Sequence, residues 1–175
     1  MAKNLKKGYS LKESGILTLC SCWPIKYLTS VRVALYRMIF RKFGDCRFLP
    51  PDIEFHRRRA PGRTGNISIG NNVKFDRFNR FRLLTAESVI HIGDNVWFDR
   101  GVDIKCFQGN LVIGDNCYVG PMTIISGGKI SIGANCLIAS NVTIYGNNHE
   151  FRLPRRQVKG QGNTVKGLTI EDDCW

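Results

Sequence analysis

The chain has 175 residues, 43% of them apolar and 23% charged, with a net charge of +12. That suits one domain with a sizeable core and excludes a low-complexity polypeptide. No apolar run reaches the roughly 18 residues of a membrane span, and seven cysteines without a Cys-x-x-Cys pair argue against a disulfide framework or zinc ribbon and for reduced thiols in the cytoplasm.

The charge is uneven. Residues 1–65 hold fourteen Lys/Arg against four Asp/Glu, and residues 145–168 hold five against one. Two basic zones therefore flank a nearly neutral body. Such zones attract phosphates, anionic lipid or acidic glycans. No basic–aromatic motif points to nucleic acid.

In chain order, "GILTLCSCW" (15–23) is too short and too late for a secretory signal, and lacks a small-residue cleavage site. "PIKYLTSVRVALYRMIFRKFG" (24–44) predicts a helix between Pro24 and Gly44. Leu28, Val31, Leu35, Met38 and Ile39 form its apolar stripe, with Lys26, Arg37 and Arg41 largely elsewhere. Two roles are open: a cap over the end of the adjoining domain, or a basic amphipathic helix making peripheral contact with an anionic membrane face. "FHRRRAPGR" (55–63) reads as a basic linker, with His56 a surface residue. The expected division is an N-terminal helical cap and linker over 1–65 and a repeat domain over 66–175.

From Ile69 the apolar residues step by six: Ile69, Phe75, Phe81; Ile92, Phe98, Ile104; Ile113, Val119, Ile125; Ile132, Ile138, Ile144. Small or branched residues recur four positions later, among them Val73, Val96, Cys117 and Cys136, and Gly often comes directly after the apolar position. A helix has no use for a period of six. Short strands on a three-sided coil do, with one side chain per side pointing inward and stacking on the next coil about 4.8 Å away. "GNN", "GDN" and "GAN" supply corners where positive φ is cheap. Cys117 and Cys136 read as core fillers. His91 precedes the inward Ile92 and is expected to point outward.

After Ile144 the rhythm stops and resumes at Ile170. The intervening loop, 145–168, is polar, basic and glycine-rich, and reads as an excursion from the solenoid. His149 stands near its start.

"ISIGNNVKF", "IHIGDNVWFDRGVDI", "LVIGDNCYVGPMTII" and "ISIGANCLIASNVTI" resemble the hexapeptide-repeat acyltransferases, most closely the O-acetyltransferases of surface polysaccharides, maltose and galactosides. The resemblance spans about residues 40–175. It implies an all-β fold, a left-handed parallel β-helix, assembled as a homotrimer with active sites between subunits. It implies acetyl transfer from acetyl-CoA, as co-substrate, to a hydroxyl of a sugar or polysaccharide acceptor, in the cytoplasm or at the inner membrane face, without a metal. His149 matches the family's catalytic base; the competing reading is a histidine that decorates a turn. Asn147, Asn148 or Glu150 would orient the ring or bind acceptor, unless a backbone carbonyl does so. Arg152, Arg155, Arg156, Lys159 and Lys166 would contact an anionic acceptor or the phosphates of CoA, or simply solvate the loop. Trp175 matches a tryptophan near the acyl group and pantetheine arm, or else fills surface.

The family continues with further coils beyond "IEDDCW", so the chain reads as truncated at the C-terminus. Two other functions stay open: an amino-sugar N-acetyltransferase, and a non-catalytic binding or assembly module. A hexapeptide-type carbonic anhydrase needs three metal-binding histidines, and His56, His91 and His149 are unsuitably scattered.

Overall fold

The protein is represented by a computed structural model that describes residues 11–22, 24, 27–56 and 64–175. Two helices, α1 (Leu11–Ser21) and α2 (Thr29–Tyr36), precede a series of short strands. The first circuit is β1 (Lys42–Phe43), β2 (Cys46–Phe48) and β3 (Glu54–His56). The next are β4 (Ile67–Ile69), β5 (Val73–Phe75) and β6 (Arg80–Leu83); then β7 (Val89–Ile92), β8 (Trp97–Phe98) and β9 (Asp103–Cys106). Two more circuits are β10 (Asn110–Ile113), β11 (Tyr118–Val119) and β12 (Ile124–Gly127), and β13 (Ile130–Ile132), β14 (Leu137–Ile138) and β15 (Thr143–Tyr145). A hairpin, β16 (Asn148–His149) and β17 (Asn163–Thr164), intervenes before β18 (Leu168–Ile170).

Every third strand joins the same sheet. The first sheet runs β1-β4-β7-β10-β13-β18, the second β14-β11-β8-β5-β2 and the third β15-β12-β9-β6-β3. Every pairing within these three is parallel. This is a parallel β-helix, and the step of six sets its register. Ile69, Ile92, Ile113, Ile132 and Ile170 are successive partners down one side. Phe75, Phe98, Val119 and Ile138 run down the second. Phe81, Ile104, Ile125 and Ile144 run down the third. All twelve repeat positions are buried. A further inward column, Ile67, Ile90, Leu111, Ile130 and Leu168, lies two residues before the first and widens the core on that side.

The solenoid starts earlier than the boundary at 66. Phe43 pairs with Ile69 and Phe55 with Phe81, so residues 42–56 form a coil beneath the first regular one. Phe40, Phe43, Phe55, Phe75, Phe81 and Phe98 then continue as an aromatic column from the cap into the core, with neighbouring centroids 4.8–6.4 Å apart. The basic stretch 57–63, the side chain of His56 and Lys26 lie outside the described residues.

The helix expected over 24–44 shortens to Thr29–Tyr36. Its C-terminal turn tightens through Met38 N–H to Leu35 O and Ile39 N–H to Tyr36 O, and Arg41 N–H then bonds to Ile67 O in the first sheet. Sheet pairing at 41–43 overrides the helical pattern. The buried face is also rotated: Arg32, Val33 and Tyr36 face the core, while Leu28, Val31 and Met38 are exposed. Arg32 is buried because its guanidinium donates to Leu49 O at 2.9 Å, Pro50 O at 2.7 Å and the Tyr36 hydroxyl at 3.2 Å. α1 docks through Glu13, whose carboxylate accepts from Thr64 N–H and, at 2.6 Å, from the Thr64 hydroxyl. The helices therefore cap the first coil.

The corners divide labour in a way the expectation merged. Positive φ falls on the asparagines, Asn72, Asn95, Asn116 and Asn135, at 56–58°. Their side chains form a ladder, Asn95 Nδ2 donating to Asn116 Oδ1 at 3.0 Å and Asn116 Nδ2 to Asn135 Oδ1 at 3.1 Å. The preceding glycines have ordinary φ but no room for a Cβ, which at Gly114 would stand 2.6 Å from the Gly133 carbonyl carbon. Close approach of coils, not left-handed backbone, requires glycine there. Cys117 and Cys136 are buried corner fillers, their thiols donating to Gly133 O and Glu171 O at 3.0 and 3.1 Å.

Candidate functional site

The chain leaves the solenoid at Gly146. Its N–H still bonds to Ser126 O, completing the ladder of the third sheet. A Cβ at Gly146 would stand 2.8 Å from Gly128 O and 2.7 Å from the Ile130 side chain, so the exit point is packed to the backbone. Beyond it the excursion is built on a hairpin rather than an irregular loop. β16 and β17 pair antiparallel, Asn148 with Thr164 and His149 with Asn163. Glu150 N–H extends the ladder to Gly162 O at 3.1 Å.

Polar contacts fix the hairpin's neck and tip. The Asn148 carboxamide oxygen accepts from His149 N–H at 2.9 Å. The Glu150 carboxylate accepts from the Thr164 hydroxyl on the opposite strand, and its other oxygen faces Arg152 Nε at 3.6 Å. At the tip, Gln161 closes the turn: its side chain accepts from Leu153 N–H and donates to Leu153 O and Arg156 O at 2.8–3.1 Å. Sequence reasoning missed both Thr164 and Gln161, since polar residues in a polar excursion carry no periodicity.

An open groove of about 880 Å³ lies along the hairpin where it leaves β15 at Tyr145. Tyr145, Asn147, Asn148, His149 and Glu150 line one stretch of it, with Thr164 and Lys166 opposite. Of the residues predicted for a site, the structure thus gathers Asn147, Asn148, His149, Glu150, Arg152 and Lys166 around one groove. His149 is exposed and lines the groove, and among the described residues no hydrogen bond holds its ring. Among the described residues no side chain orients the imidazole: Asn148 bonds the His149 backbone and Glu150 bonds Thr164.

Arg155, Arg156 and Lys159 are exposed on the hairpin's tip and do not line the groove. Trp175 does not line it either; it is 95% exposed. His91 stands on the outer face of the first sheet, between Ser68 and Val112 in register. Among the described residues no group of three or more His, Cys, Asp or Glu is arranged to hold a metal ion.

A smaller hollow of about 380 Å³ lies beneath the helical cap, against Cys20, Arg32, Tyr36 and Phe55. Burial pushes the Cys20 thiol and the Tyr36 hydroxyl above their usual values, against the pull of Arg32. Both are protonated at neutral pH, and the hollow is a packing recess rather than a reactive centre. No helix among the described residues is long and apolar enough to cross a membrane. Compared with models of known families and with curated proteins, the chain finds no match.

Proposed function

We propose that the protein is an acetyl-CoA-dependent O-acetyltransferase of the hexapeptide-repeat type, acting on a sugar hydroxyl in the groove beside His149. The observation that carries this reading is the position of the histidine. It opens an excursion that interrupts the solenoid, at the mouth of a groove, with its imidazole exposed and unbonded among the described residues. The stacked coils beneath it give a rigid base, on which a short hairpin presents the ring.

In this mechanism a neutral imidazole takes the proton of the acceptor hydroxyl as its oxygen attacks the thioester carbonyl. The tetrahedral oxyanion collapses, the carbon–sulfur bond breaks, and the imidazolium returns its proton to the departing CoA thiolate. General-base help of this kind contributes about 10²–10⁴ in rate, and imidazole suits it because its unperturbed pKa is about 6.5. Arg152 and Lys166, at the groove's rim, supply positive charge for an anionic acceptor or the phosphates of CoA.

The same reading makes the solenoid left-handed and the assembly a homotrimer, with the partner subunit completing the site. An outward stripe on the second sheet supports self-association: Phe48, Lys74, Trp97, Tyr118 and Leu137 are successive partners, Phe48, Trp97 and Leu137 exposed and the other two half-buried, with Lys74 Nζ 3.6 Å above the Trp97 ring. Leu28, Val31 and Met38, exposed on and beside α2 among basic residues, suit peripheral contact with the inner membrane face.

The test is acetyl transfer from acetyl-CoA to candidate glycans by the wild type and by His149→Ala, with circular dichroism to confirm folding. The variant is expected to lose at least about a hundredfold in kcat. Alkali-labile product identifies an ester and separates hydroxyl from amine acceptors. Equal turnover by a folded His149→Ala protein refutes the assignment.

A further inference from the structure

The outer face of the third sheet gathers three cations around one buried carboxylate. Arg80 lies opposite Asp103 in the parallel register of β6 and β9, and Arg82 lies opposite Lys105. Asp103 is only 4% exposed. Arg82 grips it with both ends of the guanidinium, Nε to Oδ1 at 3.2 Å and Nη2 to Oδ2. Arg80 Nη2 and Lys105 Nζ each lie 3.4 Å from the same Oδ2.

One bidentate guanidinium already satisfies a buried carboxylate. Arg80 and Lys105 therefore bring two charges beyond neutrality to one point. Their side chains retain 48% and 29% of their surface, so the surplus faces solvent. Glu54, opposite Arg80 on β3, forms no ion pair with it. Both charges add to the field that holds Asp103 ionised, and their exposed ends leave charge open to an incoming dianion.

The same face leads to the groove. Arg82, Lys105, Ser126 and Tyr145 are successive partners in one outward ladder, and Tyr145 lines the groove with His149. Two coil steps separate Lys105 from Tyr145, roughly 10 Å along the sheet. That is the reach of a substrate with a sugar at one end and a phosphate group at the other.

We infer that Arg80 and Lys105, braced by Arg82 and Asp103, seat the phosphate or diphosphate of the acceptor, so that the acceptor is a phosphorylated sugar and not a neutral oligosaccharide. The inference rests on the acetyl-transfer reading of the groove.

The first measurement is calorimetric titration of the full chain with inorganic pyrophosphate. Wild type is compared with Arg80→Gln, Lys105→Gln and the double variant, which leave the Arg82–Asp103 pair intact, and circular dichroism verifies the fold. Saturable binding by wild type is expected, weakened roughly tenfold by each single change, as for one charge-assisted hydrogen bond, and undetectable in the double variant. No saturable binding to wild type, or equal affinity in the double variant, overturns the seat. The second measurement is acetyl transfer to a sugar phosphate. The double variant should raise the KM for this acceptor and leave the KM for acetyl-CoA unchanged. A rise confined to the acetyl-CoA KM assigns the charges to CoA and overturns the inference. Pyrophosphate binding requires no acetyl transfer, so failure of the enzyme reading and failure of the seat are seen separately.

Discussion

The hydroxyl of Thr164 donates a hydrogen bond to Oε1 of Glu150 across the neck of the hairpin. It ties β17 to the residue immediately after His149, so the strand carrying the imidazole is braced from the opposite side. Thr164→Val keeps the side chain's shape and removes the donor. Loss of such a bond costs about 1–2 kcal/mol, and the neck should open correspondingly more often. The amide of Glu150, bonded to Gly162 O, is expected to exchange with deuterium roughly tenfold faster, while that of Gly114 in the solenoid, bonded to Ile132 O, keeps its rate. On the proposed function, kcat falls and the KM for acetyl-CoA holds. An unaltered Glu150 exchange rate would show that the bond does not brace the hairpin.

The columns of the core were legible from the step of six, because each coil puts one apolar residue per side into the same stack. The exit from the solenoid was legible for the same reason: a missing Ile, then resumption at Ile170, which pairs with Ile132. Other features left no periodic trace. Phe43, Leu49 and Phe55 keep the step of six and are buried in the first coil, but Phe43 lay inside the span read as helix and Phe55 opened the basic stretch read as linker, so that coil went unread. The stripe on 28–39 implied a longer helix, since helix propensity does not register that residues 41–43 have a strand to pair with. The hairpin was hidden because its short paired strands are polar. Its consequence for the site is chemical: Glu150, a candidate to orient the imidazole, is committed to Thr164.

The corner sequence Gly-x-Asn gives a second test, because its residues serve different physics. Gly114 has no space for a Cβ, which would meet the Gly133 carbonyl carbon at 2.6 Å and Ala134 N at 2.7 Å, both backbone atoms that cannot move aside. Gly114→Ala is expected to cost about 3 kcal/mol. Asn116 holds φ at 56°, a conformation that costs a β-branched residue about 1–2 kcal/mol and a glycine nothing. Asn116→Val should therefore destabilise clearly, and Asn116→Gly only by the loss of its ladder bonds. Urea midpoints for the three variants should rank Gly114→Ala lowest, Asn116→Val next and Asn116→Gly nearest wild type. Both Asn116 variants lose the ladder bonds, so a midpoint for Asn116→Gly at or below that for Asn116→Val would mean that left-handed backbone does not govern the corner.

Asp103 gives stability a defined dependence on pH. Burial pushes its carboxyl up, but the Arg82 hydrogen bonds and the charges of Arg82, Lys105 and Arg80 outweigh this, and the net direction is down. A group whose pKa is lower folded than unfolded contributes stability that is complete above the unfolded value, about 3.9 for Asp, and is lost as pH falls through the folded value. Asp103→Asn removes the charge, keeps the shape, and leaves three cations facing a neutral amide. Breaking a buried pair in this way costs about 3 kcal/mol. The gap in unfolding free energy between wild type and variant should therefore be constant from about pH 5 to 7 and shrink below about pH 4, toward the folded value. Denaturation at pH 7, 5 and 3 measures it. A gap as wide at pH 3 as at pH 7 would mean that packing around the side chain, not its charge, supplies the stability, and that Arg80, Arg82 and Lys105 converge on it for another reason.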